Sequence, residues 1–493
     1  MKSIIGSVAF VLGLSLAQAA CSVDTNDASG GAPLPPATPS DPMAPAPEPR
    51  AGKAVVRVVH ASADAPSVDV YVKGSDKPVV TGLAYGQTST WLELDPGTYV
   101  FELRAAGAKP TDPIAYRTGE LAIPAGAKIS AIAAGLLGAA GADDAFRVLP
   151  IVEGFGAAAV GSARVRVIHA GADAPTVGLD IGNDDPASPE TASLARFADT
   201  GAEGAALPAG KKLGIGVVAG GARVTAFTTP ELPEGANVLV VATGLLGKLA
   251  RERDGFALLA VGPNGSLGFV KQDPIVYALH GSPDAPRVDA FVGAAEVVDD
   301  LGFGELASPV QVPPGTYELD FYPHAAGSTR PTGAAAAKGS TGALAAGERY
   351  LTIATGFLGS PTNGFRLASF RDGFALGSGK AQLRAVHASP DAPEVDLGLA
   401  GPSKIDPVLF SGLAFGQASA DEGLGAAPGH LVVGVTPAGQ NGSIVARLTV
   451  PVTADQRAFV VAGGSLGNHG QGFRFLVVDT APSPWTVTTA LPH

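Results

Sequence analysis

The residues best placed to do chemistry are four histidines, each followed by an aspartate four positions later. His60-Ala-Ser-Ala-Asp64-Ala-Pro66-Ser-Val68-Asp69 returns three times. The copies are His169-Ala-Gly-Ala-Asp173-Ala-Pro175, His280-Gly-Ser-Pro-Asp284-Ala-Pro286-Arg-Val-Asp289 and His387-Ala-Ser-Pro-Asp391-Ala-Pro393-Glu-Val-Asp396. Imidazole and carboxylates suit a divalent ion, so each His/Asp set is a candidate metal site. In the second copy, Gly178 stands where the second aspartate would be. The same residues also build a turn. An aspartate before Ala-Pro can bond its own backbone, and Pro66, Pro175, Pro286 and Pro393 fix φ while pushing the preceding alanine into extended geometry. A strand-end histidine then bonds that aspartate or a loop carbonyl. The turn accounts for more of the pattern, so no metal is firmly expected and no cofactor is implied.

A second motif, Gly463-Gly464-Ser465-Leu466-Gly467, has the form of a hydrolase nucleophile elbow. That elbow needs a strand–turn–helix and a later acid and histidine, which do not follow here. Ser465 also aligns with Leu136, Leu245 and Phe357 in earlier copies of the same glycine-flanked loop, a filler position. No catalytic residue is assigned, and an enzyme is not expected.

These residues are positioned by repeats. The signature histidines lie 109, 111 and 107 residues apart. Gly135-Leu-Leu-Gly138 keeps the same beat as Gly244-Leu-Leu-Gly247, Gly356-Phe-Leu-Gly359 and Gly464-Ser-Leu-Gly467. Self-similarity at a fixed period sets the organisation before anything else. Within a unit Val68, Val70 and Val72 alternate with polar neighbours, as do Tyr99, Phe101 and Leu103, so the local period is that of strands. Seven or eight strands per unit predict an antiparallel, immunoglobulin-like β-sandwich. The chain is thus expected to be all-β, with four tandem sandwiches over 54–160, 161–270, 271–379 and 380–493. Short junctions near 154–162, 262–272 and 377–380 suggest semi-rigid stacking of neighbours.

Composition agrees. Of 493 residues 66 are Gly and 41 are Pro, which disfavours helices of ordinary length. The net charge of −12 comes without a basic cluster, which excludes a nucleic-acid partner. The one cysteine, Cys21, permits neither an internal disulfide nor a thiolate metal cluster. It follows Met1-Lys2 and the apolar run from Ile4 to Leu16, so residues 1–20 read as a secretory signal peptide. Cys21 directly after that run resembles the lipidated cysteine of a bacterial lipoprotein, although Gln18 stands where leucine is usual. Cleavage after Ala17-Gln18-Ala19 is the alternative, and would give a secreted or periplasmic product. Residues 21–53 hold eight prolines and are expected to form a disordered, extended tether.

The Val-His-Ala, Ser-Pro-Asp-Ala-Pro and Val-Asp-Val-Tyr-Val runs, best seen at 56–72 and 383–397, resemble the bacterial domain of unknown function family 4397. The resemblance covers nearly all of 54–493. It implies an extracytoplasmic, often tandem, all-β domain, and no chemistry. The expectation is therefore a non-enzymatic outer-membrane or cell-surface (lipo)protein. It would present sandwiches to an envelope or extracellular protein or matrix, and touch the membrane only through a lipid anchor. The alternative is a module binding a small ligand, glycan or divalent metal at the His-x-x-x-Asp-Ala-Pro turns.

Overall fold

The computed structural model describes residues 41–492 apart from Ala140, Ala142 and Asn468. The signal peptide, Cys21 and the tether as far as residue 40 lie outside the described residues. Those that are described contain strands and turns and no helix.

Repeat one sets the plan. Its strands are β1 (Ala54–His60), β2 (Val68–Val72), β3 (Pro78–Leu83), β4 (Leu92–Leu94), β5 (Gly97–Tyr99), β6 (Phe101–Ala105), β7 (Tyr116–Arg117), β8 (Leu121–Ile123), β9 (Lys128–Ala134) and β10 (Arg147–Val152). One sheet runs β10-β9-β1-β4, the other β3-β2-β6-β7, and β5 pairs with β8. Each later repeat likewise has two sheets, of four or five strands. The all-β sandwich expected from the alternation is present in every unit.

One pairing goes beyond an antiparallel plan. β1 and β9 are parallel, with His60 opposite Ala133. The same parallel pair recurs at His169 and Ala242, His280 and Ala354, and His387 and Ala462. Parallel strands occur mostly where both faces of a sheet are covered. That holds here. Val56, Val58 and His60 face the sandwich, while Val59 and Ala61 join a core with Ile132 of repeat one and Ile168, Val241 and Leu259 of repeat two. Repeats three and four do the same through Leu279, Ile353, Val386, Phe459 and Val461. Neighbours thus share a buried layer. Continuous apolar runs such as Ala-Val-Val-Arg-Val-Val are the sequence trace of this two-sided burial.

The expected disordered tether, 21–53, also differs at its end. Met43 packs beside Ala163, Leu207 and Val238, and Asn264 donates its backbone N–H to the Pro42 carbonyl at 3.0 Å. One apolar side chain and prolines that lose little freedom on ordering make this attachment favourable.

Candidate functional site

Because β1 and β9 run parallel, the loops that follow them leave the sheet at the same end. This brings the His-x-x-x-Asp loop against the Gly-Leu-Leu-Gly loop, about 73 residues away in the chain. Asp64 accepts from Leu137 N and Gly138 N, both at 2.9 Å. Asp173 accepts from Leu246 N at 2.9 Å, Asp284 from Leu358 N at 3.0 Å, and Asp391 from Leu466 N and Gly467 N at 2.9 and 2.8 Å. The aspartates therefore bridge two loops, a role beyond the local turn expected of them. Ser62, Ser282 and Ser389 add a second link, donating to Gly135 O, Gly356 O and Gly464 O at 2.6–2.7 Å. Gly135 needs to be glycine twice over: its φ is +78°, and a Cβ would collide with the Ala145 carbonyl.

Each histidine closes its own loop. Nε2 lies 3.0 Å from Pro66 O in repeat one, 2.8 Å from Pro175 O in repeat two, and 3.0 Å from Pro286 O and Pro393 O in the others. A carbonyl can only accept, so Nε2 carries the proton and Nδ1 is left with its lone pair. All four rings are about 1% exposed, and all four Nδ1 atoms are buried without a hydrogen-bond partner. Burial pushes the pKa of His60, His169, His280 and His387 below the ordinary value, so the rings are neutral at pH 7.

The second aspartate is buried and holds two more turns. Asp69 accepts from Gly82 N and Gly107 N at 2.7 and 2.9 Å, and Asp396 from Gly412 N and Gly439 N, both at 2.7 Å. Asp289 accepts from Asp300 N and Ala325 N and lies 2.9 Å from His324 Nδ1. At Gly178 a side chain would press on Pro189 and the Thr191 carbonyl, which accounts for the missing aspartate in repeat two. His60, Asp64 and Asp69 are thus bound to three different sets of backbone groups and do not converge. Among the described residues, the one trio of ligand atoms close enough to share an ion is Asp289, Asp299 and His324, of which only Asp289 belongs to the signature. His324 and Asp299 carry no repeat signal, so sequence periodicity passes over them.

Ser465 is buried and donates to Asp391 Oδ2 at 2.7 Å. Its hydroxyl also accepts from Gly467 N and His469 N, both at 3.1 Å, so it ties the loop together. Burial raises the Asp391 pKa, and the bonds from Ser465, Leu466 and Gly467 outweigh that and hold it below the ordinary value.

The domain of unknown function DUF4397 matches residues 54–180 and 275–398, just over half of the chain. The chain belongs to this family. Each DUF4397 match runs past its own repeat into the first two strands of the next, Ser162–His169 with Val177–Ile181 and Ala381–Ala388 with Val395–Ala400. The first strand of each pair lies in the sheet that shares a core with the preceding repeat, through Ile168 and Val386. No curated protein matches the chain. Among solved structures, the Bacillus anthracis TIE protein is similar at 10% identity over 85% of this chain and 68% of its own, with a TM-score of 0.13.

Proposed function

We propose that this DUF4397 chain is a non-catalytic scaffold of the cell envelope, holding paired β-sandwiches outside the cytoplasm for structural or adhesive contacts. The observation that carries the reading is the use made of the recurring polar residues. The signature aspartates are bonded to backbone amides of their own repeat, and each signature histidine is buried with Nε2 on a carbonyl of its own loop. Shared cores between neighbours support the same conclusion, because they resist separation of the units. Met1–Leu16 and Cys21 support export and an anchor, and the proline-rich segment supports a spacer.

The test is cell fractionation of the wild type and Cys21→Ala, with and without globomycin, together with equilibrium dialysis against zinc and calcium. The reading expects membrane-associated wild type, a soluble variant, and no stoichiometric metal. Wild type that remains soluble in every condition would remove the anchor. About four bound ions per chain would replace the scaffold with a metal-binding module.

A further inference from the structure

The two sheets of repeat two do not close fully on each other. Between them lies a cavity of about 410 Å³, walled by Val165, Val167 and His169 on one side and Leu179, Ile215 and Val217 on the other. The corresponding space in repeat three is about 70 Å³. The lining of repeat two differs from that of repeat one at several positions. Strand pairing aligns Leu92, Phe101 and Leu103 of repeat one with Ala205, Ile215 and Val217 of repeat two. These three are smaller in repeat two, while Val70 and Val72 are replaced by the larger Leu179 and Ile181, and repeat two also lacks the Pro-Gly-Thr-Tyr turn whose Tyr99 stacks on Phe101. A dry void of this size would cost a large share of a domain's stability. An apolar space of 300–1,000 Å³ is what ligand sites use.

Thr229, Pro230 and Gly268 also line the space, as does Leu267, which is 39% exposed. One charged side chain reaches the wall, Lys271. Its Nζ donates to Glu252 O at 2.8 Å, leaving two of its three N–H donors for another acceptor. Long apolar walls and a single half-buried cation complement a molecule with one tail and one acidic head. Two sheets about 10 Å apart leave width for one chain only.

We propose that repeat two binds one long-chain fatty acid, its tail between the sheets and its carboxylate at Lys271. The site shares His169 with the signature of repeat two but not Asp173, and it does not depend on the envelope reading. A second hollow of about 340 Å³ in repeat four has no lysine on its wall, so the carboxylate preference distinguishes the two.

The experiment is fluorescence titration of the full chain with cis-parinaric acid, followed by displacement with decanoate, dodecanoate, tetradecanoate and the matching alcohols. Affinity should rise about four-fold per added methylene while the cavity fills. The acid should bind at least ten-fold tighter than its alcohol, and Lys271→Met should abolish that preference. Val167→Phe and Val217→Phe fill the space from opposite sheets, so a folding defect in one leaves the other as a test. Either one, melting at or above the wild-type temperature, should lose binding at least ten-fold. Binding kept by both, no saturable binding, or equal affinity for acid and alcohol would overturn the proposal.

Discussion

Arg57 Nη1 donates to the Gly262 carbonyl at 2.7 Å, joining the first sheet of repeat one to the far end of repeat two. The contact is reciprocated: Arg166, at the same position of repeat two, donates to Val152 O of repeat one at 2.7 Å. Arg384 of repeat four likewise reaches Arg371 O of repeat three at 2.6 Å. Equivalent surfaces facing each other is the logic of an isologous dimer interface, here within one chain.

Arg57 is 1% exposed and also pairs with Glu153 at 2.7 Å. Removing one partner of a buried pair strands the other, so Arg57→Ala should lose about 3–5 kcal/mol in chemical denaturation. The double variant Arg57→Met with Glu153→Met should recover much of it. Simple additivity of the two single variants would refute the coupling.

Asp64→Ala removes the acceptor for two loop amides and should destabilise by about 1–3 kcal/mol. Asp64→Asn keeps one acceptor and should cost less. Hydrogen exchange at Leu137 and Gly138 should rise in the alanine variant. Unchanged protection there would show that the bridge does not hold the loop.

Acid should weaken the fold. The four signature histidines have folded pKa values lowered by burial, so below about pH 6.5 the unfolded chain binds more protons than the folded one. Stability is fully present above that pH and falls as pH drops toward the folded values, by up to about 1.4 kcal/mol per unit for each histidine. Asp391, also lowered, acts in the same direction at lower pH. His324, raised by its bond to Asp289, runs the other way. Melting temperatures across pH 4–8 check the sum, and His169→Gln should flatten the slope.

Gly135→Ala combines positive φ with a clash against a backbone carbonyl. Gly52, at φ +76°, has open space where a Cβ would sit. Gly52→Ala should therefore cost about 1 kcal/mol and Gly135→Ala clearly more, read from paired melts. Equal losses would mean that the tight approach of the two loops is unimportant.

Sequence alone determined the things that depend on local chemistry and period. Alternation at Val68–Val72 specifies strands, glycine and proline specify turns, and a signature returning about every 109 residues specifies four copies. The polar residues were also visible, because His, Asp and the following Ala-Pro recur in all four copies. What they touch was not. Asp64 meets Leu137 only because β1 and β9 lie parallel, a pairing between strands separated by the whole repeat. The shared core of Val59 and Ile168, and the hollow between Val167 and Val217, likewise depend on which faces meet and how much volume they bring. Those are sums over distant side chains, and only the tertiary structure carries them out.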